Sequence, residues 1–179
     1  QIHLLLNTRA HALNATGSLS VVNRQGEVVN SSVNDKDLGL DVSNQSFFKA
    51  FSGASDPGLY IDRPKHHPAT GLWSLIMARR IGGQDDTFRG VIAVELQIAN
   101  LEQLFSHVKL EYDRPISIYM EDGTLVASSP HRETLLGSMA PELSREPLPQ
   151  LGGEIKMIQH NSGDGLTVVY SLGRLKNYP

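Results

Sequence analysis

The sequence predicts an α+β fold made of two tandem antiparallel-sheet units, with the second unit lacking its last strand. The first observation is an internal repeat, because residues 19–32 align with residues 116–129 without a gap. The second is that each of these segments places a glycine in a polar turn between two β-prone runs, as a hairpin requires. The third is that more β-type runs follow the first hairpin than follow the second.

Length and composition limit the classes of function. A chain of 179 residues can form one domain of ordinary size or two small ones. A hydrophobic content of 40% argues against wholesale disorder, and a net charge of −3 without a basic stripe argues against nucleic acid as a partner. The absence of cysteine excludes disulfides, thiolate zinc sites and a cysteine nucleophile. No apolar run reaches the ~18 residues of a membrane helix.

The N-terminal segment predicts a helix followed by a hairpin. Residues 1–15 place apolar side chains at helical spacing, so we expect the last turns of a longer helix that Gly17 caps. Leu19–Val22 and Glu27–Ser31 then flank a polar turn that contains Gly26, which indicates the first hairpin. The chain begins in mid-pattern, so we expect a fragment cut from a larger protein.

Two helices and three strands are predicted next. Ser43 is the expected N-cap of a short helix that carries aromatic residues and ends at Gly53. A short strand at residues 59–62 and two long strands at residues 72–81 and 88–98 follow. Asn100 is the expected N-cap of an amphipathic helix with Leu101, Leu104, Phe105 and Val108 on one face, and Gln103 stands at the capping-box position.

The pattern of a hairpin followed by further strands then begins a second time. Residues 116–121 and 124–129 predict the second hairpin around Gly123, and residues 154–160 and 166–175 predict two further strands. A weaker similarity links residues 72–81 to residues 166–175. The alternative to a duplicated unit is that any two hairpins with glycine turns look alike. The identical pairs are Ser20 and Ser117, Gly26 and Gly123, Val29 and Val126, Ser31 and Ser128, and Ser32 and Ser129.

The order of these motifs resembles the extracytoplasmic double Cache sensor domains of bacterial transmembrane receptors. The resemblance covers nearly the whole chain and rests on "VVNRQGEVV", "DVSNQSFFKAF", "GLYIDRP", "TGLWSLIMARRI", "FRGVIAVEL" and "SIYMEDGTLVASSP". It is strongest to the sensor halves of proteins with GGDEF or EAL output domains, which make or degrade cyclic-di-GMP. Histidine kinases and chemoreceptors use similar domains.

The resemblance implies two PAS-like sheets behind a long, here truncated, N-terminal helix. Residues 1–17 would be the end of this helix, residues 18–112 a membrane-distal Cache unit, and residues 113–179 an incomplete membrane-proximal Cache unit. It also implies a periplasmic location, a membrane anchor in the full-length protein and a homodimer formed through the N-terminal helix. The ligand pocket would lie in the distal unit, and ligand binding there would shift the long helices of the dimer.

The resemblance also implies which residues bind the ligand. Relatives often hold a carboxylate with an arginine before two aromatic residues, and Gln45 stands at that place here, before a pair that includes Phe48. Tyr60 and Asp62 match an aromatic residue and an acid of the pocket. Glu95 stands where amino-acid-binding members have an aspartate that binds the ligand ammonium.

The same residues allow simpler interpretations. Glu95 could face solvent or pair with Arg79 or Arg80, since burying it among apolar side chains would cost several kcal/mol. Tyr60 could be a core residue and Asp62 a turn-capping acid. Trp73 is a further candidate ligand contact, although a core or interface position suits it better. Ile76 stands where relatives often have a threonine, and it cannot form hydrogen bonds.

We therefore expect the distal pocket to bind a small polar metabolite, an amine or amino-acid-like molecule rather than a simple dicarboxylate. The alternative is a ligand-free module for dimerisation or for contact with a periplasmic protein. Catalysis is not expected, because the chain has no phosphate-binding loop and Ser55 lacks a nucleophile elbow. No cofactor is expected, and the neighbouring His66 and His67 lack metal-ligand spacing.

Overall fold

The computed structural model of the chain describes residues 16–33, 37–53, 56–67, 70–82, 87–105, 107, 114–140, 156–161 and 167–175. The expected N-terminal helix at residues 1–15 lies outside these ranges. In chain order, the elements are β1 (Thr16–Asn23), β2 (Val28–Ser31), α1 (Ser46–Lys49), β3 (Leu59–Ile61), β4 (Lys65–His66), β5 (Trp73–Gly82), β6 (Phe88–Gln97), α2 (Ile98–Phe105), β7 (Ile116–Tyr119), β8 (Leu125–Ser129), a 3₁₀ turn (Glu133–Leu135), β9 (Lys156–Asn161) and β10 (Thr167–Leu172).

The first six strands form one antiparallel sheet, as the predicted α+β class requires. The strand order is β2-β1-β6-β5-β3. The short strand β4 also pairs with β5, on the same side as β3. The long strands β5 and β6 pair along almost their whole length and form the centre of the sheet. Because side chains alternate between the two faces, every second residue of β6 shares a face.

Each face of the sheet has its own core. The face that α1 covers, here called the α1 face, includes Val22, Ala78, Val91 and Ala93, which pack with the aromatic residues of the α1 segment. The opposite face includes Leu75, which belongs to a second core made with α2 and β8. The sheet thus separates two apolar layers, and the second layer joins the first unit to the second hairpin.

The second hairpin repeats the pairing of the first, so the predicted repeat of a strand–turn–strand unit is confirmed. Ser20 pairs with Ser31 in β1–β2, and Ser117 pairs with Ser128 in β7–β8. Each ladder has an irregularity one residue later, after Val21 and after Ile118. Two unrelated hairpins would not be expected to share both the register and the position of the irregularity.

The repeat also continues beyond the hairpin turns. The turn glycines Gly26 and Gly123 have φ angles of 90° and 84°, in the left-handed region that glycine occupies without strain. After each hairpin the chain folds back to the same place, since Val42 N–H donates to Gly26 O at 2.7 Å and Ala140 N–H donates to Gly123 O at 3.1 Å. The duplicated unit therefore includes the segment after the second strand.

Two of the expected helix caps are wrong. Gly17 lies inside β1, at an irregularity of the β1–β6 ladder, instead of capping a helix. Ser43 lies in a turn, where its N–H donates to Asp41 Oδ1 at 2.9 Å. The helix α1 therefore begins later, its N-cap is Gln45, and no side chain caps it. It ends at Lys49, before the predicted end at Gly53.

The expected start of the second helix is also wrong. Asn100 is the third residue of α2 and therefore cannot be its N-cap. The helix follows β6 directly and begins at Ile98, which is only 1% exposed in the core of the opposite face. The start of the helix is thus anchored by the packing of Ile98 in that core. Helix α2 ends at Phe105, and the predicted continuation to Val108 lies outside the described residues.

Helix α2 is attached to the second hairpin by a polar contact as well as by the apolar core. Glu102 Oε1 accepts the Ser128 N–H at 3.1 Å, and Glu102 Oε2 lies 2.8 Å from His131 Nδ1.

The strands predicted at residues 154–160 and 166–175 are confirmed as β9 and β10, which pair in antiparallel fashion. Among the described residues, no helix has the length and apolar character needed to cross a membrane.

Candidate functional site

Helix α1 places an aromatic cover over the α1 face. Phe48 is 5% exposed, and its ring meets Phe88 edge-on at a centroid distance of 5.8 Å. Phe51 is fully buried, and it meets the half-buried Tyr60 edge-on at 6.3 Å. Phe48 and Tyr60 were both predicted site residues, and the structure brings them into one apolar wall.

Beside this apolar wall, a row of side chains crosses the sheet on the same face. Ile76 of β5 pairs with Glu95 of β6, and Glu95 pairs with Ser18 of β1. Asp62 N–H donates to Ile76 O at 2.8 Å and continues the β3–β5 ladder, so Asp62 completes the row at the sheet edge. Two strand spacings place the Cα atoms of Asp62 and Glu95 about 10 Å apart. The structure thus brings two predicted acids to one end of the α1 face.

Glu95 is half-buried and has a weak protein partner. Among the described residues its carboxylate accepts one hydrogen bond, from Ser18 Oγ at 3.3 Å. The pairing with Arg79 considered above is wrong, because Arg79 has the opposite parity on β5 and lies on the other face. Arg80 pairs with Val91, four residues from Glu95 along β6, and its guanidinium lies over the Phe88 ring. A half-buried carboxylate with so few donors is suited to accept hydrogen bonds from a ligand.

Asp62, by contrast, is fully engaged. It is 6% exposed, and its carboxylate accepts hydrogen bonds from Ser46 Oγ, from Lys65 Nζ at 2.9 Å and from the Arg63 N–H at 2.9 Å. Burial alone would raise the pKa of Asp62. The hydrogen bonds from Ser46, Lys65 and Arg63, together with the Lys65 charge, outweigh burial and hold this pKa below its usual value.

Lys65 is a site residue that the sequence analysis missed. It pairs with Ser74 across β4–β5, and Ser74 shares a face with Ile76, so the Lys65 side chain is on the α1 face. Its Nζ also donates to Ser46 Oγ at 3.1 Å. The signal in the sequence was faint, namely a lysine three residues after an acid in a loop. Its position depends on the β4–β5 register, which no local pattern predicts.

Of the two remaining predicted site residues, Gln45 lies beside this arrangement and Trp73 lies on the opposite face of the sheet. Gln45 is exposed at the start of α1, next to Ser46, which contacts Asp62. Trp73 has the opposite parity to Ile76 on β5, so the structure does not bring it together with Glu95. It packs into the core shared with the second hairpin, and its ring meets His66 edge-on at 4.4 Å.

Among the described residues, no group of three or more histidine, aspartate or glutamate side chains could hold a metal ion. His66 packs on Trp73, in a contact between rings. Ser55 lies outside the described residues.

Comparison with known proteins gives structural relatives only. No protein-family model and no curated protein matches the chain. Among solved structures, the extracellular domain of the histidine kinase rpHK1S-Z16 superposes with a TM-score of 0.79 at 23% identity, over 99% of this chain and 73% of that one. This chain therefore has the fold of that extracellular domain.

Two bacterial chemoreceptor domains have the same fold at lower similarity. The ligand-binding domain of Pseudomonas fluorescens CtaA, solved with L-serine, has a TM-score of 0.63 at 16% identity, over 94% of this chain and 69% of that one. The ligand-binding domain of the Pseudomonas aeruginosa amino-acid chemoreceptor PctC, solved with GABA, has a TM-score of 0.52 at 15% identity, over 80% of this chain and 63% of that one. At these identities the likeness shows the fold alone.

Proposed function

We propose that this chain is the extracytoplasmic sensor region of a transmembrane receptor and that it binds a small amine or zwitterion on the α1 face. The observation that supports this most directly is the half-buried Glu95 carboxylate, which accepts one long hydrogen bond from Ser18 beside an aromatic wall. Small-molecule sites combine such apolar walls with a few converging polar groups. The fold supports the proposal, since relatives with this fold were solved with L-serine and GABA bound.

In this proposal, Glu95 binds the ammonium group of the ligand. The aromatic residues Phe48 and Tyr60 exclude water and strengthen the electrostatic attraction. Asp62 contributes indirectly, because its own charge is already matched by Lys65. Gln45, exposed at the start of α1, is available for a neutral hydrogen bond to the ligand.

A thermal-shift screen of the 179-residue chain tests this proposal. We expect amines and amino acids to raise the melting temperature, since a ligand at 100 times its Kd adds about 2.7 kcal/mol of stability. Glu95→Gln should abolish the shift, because it removes the negative charge and keeps the shape of the side chain. Glu121→Gln is the matched control, since the Glu121 side chain is 79% exposed on the second hairpin. Stabilisation by dicarboxylates alone, unchanged in Glu95→Gln, would contradict the proposal.

We further propose that ligand binding is transmitted toward the second hairpin through the segment that follows β3. Arg63 comes directly after Asp62, and its Nη2 donates to Asp122 Oδ2 at 2.6 Å in the turn of that hairpin. The next residue, Pro64, packs against Gly137, since a Cβ on Gly137 would stand 2.7 Å from Pro64 O. A shift of this segment would therefore move the second unit, which we expect to adjoin the membrane.

The division of the chain at residues 18–112 and 113–179, the homodimer through the N-terminal helix and the membrane anchor belong to the same proposal. The chain itself would be non-catalytic.

For the output domain, the motif resemblance favours a cyclic-di-GMP enzyme, whereas the structural relatives include a histidine kinase and chemoreceptors. Measuring cyclic-di-GMP turnover and autophosphorylation of the full-length receptor, with and without ligand, distinguishes these outputs. If no small molecule binds, the ligand-free interaction module becomes the better explanation.

A further inference from the structure

Three side chains from separate elements form a closed polar cluster at the edge of the α1 face. Ser46 of α1 and Lys65 of β4 both donate hydrogen bonds to Asp62 Oδ2, and Lys65 also donates to Ser46 Oγ. Asp62 is 6% exposed, whereas the Lys65 side chain is 54% exposed. The buried acid thus fixes the position of a lysine whose end reaches the surface of the site.

This cluster changes which charges a ligand would meet. Asp62 is an obvious partner for a ligand ammonium in the sequence, but the Lys65 ammonium already occupies that position. A ligand cation would have to displace a group that is tethered to the same protein, and tethered groups compete at high effective concentration. Of the Asp62, Lys65 and Glu95 charges, a ligand can reach the Glu95 carboxylate and the outer side of the Lys65 ammonium.

The Lys65 ammonium retains capacity to bind an anion. It has three N–H donors, and Asp62 and Ser46 accept two hydrogen bonds from it. Lys65 and Glu95 share the α1 face, but Lys65 pairs with Ser74 and Glu95 with Ile76. Two strand spacings across β5 and two residues along it therefore separate their Cα atoms by roughly 12 Å. A cation and a carboxylate at this separation on one face complement a small molecule that bears both charges.

We propose that Lys65, held in place by Asp62 and Ser46, binds the carboxylate of a zwitterionic ligand while Glu95 binds its ammonium. This inference rests on the proposed sensor function and narrows its ligand class to amino-acid zwitterions. It assigns the anion-binding role to β4, at the edge of the sheet, and leaves Gln45 of α1 as a neutral contact. Simple amines, which lack the carboxylate, would bind more weakly than the matched zwitterions.

Isothermal titration calorimetry on the 179-residue chain tests the inference with two matched pairs of probes. L-serine is compared with ethanolamine, and GABA with n-propylamine, because each amine is its partner without the carboxylate. We expect Lys65→Gln to weaken binding of the favoured zwitterion at least about tenfold, because one charge-assisted hydrogen bond is lost, and not to weaken binding of the amine. Lys49→Gln is the control, since it removes an exposed positive charge from α1.

A second variant addresses the stability of the cluster. Lys65→Gln leaves the buried Asp62 without its counter-ion. We therefore also use the double variant Asp62→Asn with Lys65→Gln, in which both side chains are uncharged. It should fold and show the same selective loss of zwitterion binding. Zwitterion binding that depends on Glu95 but is equal in the Lys65 and Lys49 variants would overturn the role of Lys65 and leave the sensor function standing. Failure of all four probes to bind the wild-type chain would overturn the proposed ligand class and the role of Lys65 together.

Discussion

The two hairpins of this chain share a backbone but have different surroundings. In the first, β1 continues into a six-stranded sheet, and its residue Ser18 donates to the half-buried Glu95. In the second, three consecutive residues of β8, Leu125, Val126 and Ala127, are all buried, so both faces of that strand are covered. The duplicated hairpin is therefore a scaffold, and the ligand chemistry that we propose comes from residues that follow the first copy.

The elements added after the first hairpin explain this difference. Helix α1 brings an aromatic cover, and the segment from β3 to β4 brings Asp62 and Lys65 to the sheet edge. The second hairpin packs instead against the opposite face of the first sheet and against α2. Variants at matched positions in the two regions test how far their roles have diverged.

The largest effects are expected in the two cores. Phe51→Ala should destabilise the chain by about 3–5 kcal/mol and also abolish ligand binding, because Phe51 is fully buried and its ring packs against Tyr60 of the proposed site. Leu125→Ala should cost about 2–5 kcal/mol but leave ligand affinity unchanged at a temperature where the variant is folded. Chemical denaturation and ligand titration of both variants measure this contrast. Equal loss of ligand affinity in the two variants would contradict the separation of roles.

The turn glycines should differ by a smaller amount. A Cβ on Gly26 would stand 2.5 Å from Ser43 Cβ, so Gly26→Ala combines a left-handed φ with an overlap and should cost about 2–4 kcal/mol. Gly123→Ala has the strained φ, which should cost about 1–2 kcal/mol. Urea denaturation of the two variants gives the comparison. A larger cost at Gly123 would show that the second turn is the more tightly packed one.

These expectations also show what the sequence alone could predict. Both hairpins were predictable, because a turn glycine between alternating apolar residues is a local signal. Alternation along β6 could put Glu95 on the same face as Val91, but the sequence left open whether that face forms the pocket. The start of α2 at Ile98 could not be predicted, since burial in a distant core outweighs the capping signal of Asn100.

The role of Lys65 could not be predicted either, for a related reason. It depends on three elements meeting: the start of α1, the end of β3 and the register of β4 on β5. The sequence placed Asp62 in the site but gave no sign that a lysine would neutralise it. Local patterns therefore identified the scaffold and part of the site. The pairing of Asp62 with Lys65 could not be identified in this way, because it depends on tertiary contacts.

Acid should affect the two regions to different extents. Hydrogen bonds lower the pKa of Asp62 despite its burial, and the Thr124 contacts, opposed in part by burial, together with Arg63 lower the pKa of Asp122. A lowered pKa contributes stability that is present above the unfolded pKa of about 3.9 and is lost as the pH falls below it.

Asp62→Asn should therefore destabilise the chain by about 1.5–3 kcal/mol at pH 7, and the difference from wild type should shrink below about pH 4. Asp122→Asn should cost about 0.5–1 kcal/mol at most, because the Asp122 side chain is 43% exposed and solvent screens its charge. Thermal melts of the three proteins between pH 7 and pH 3 provide the measurement. A pH-independent cost for Asp62→Asn would argue against an ionised Asp62 in the folded chain.

The most direct test of the account is a crystal structure of the chain with L-serine or GABA, whichever produces the larger thermal shift. The account predicts ligand density on the α1 face, with the ammonium within hydrogen-bond distance of Glu95 and the carboxylate within reach of Lys65 Nζ. Asp62 should keep its bonds to Ser46 and Lys65 in that structure. A ligand bound on the opposite face, or one whose ammonium displaces Lys65 from Asp62, would contradict it.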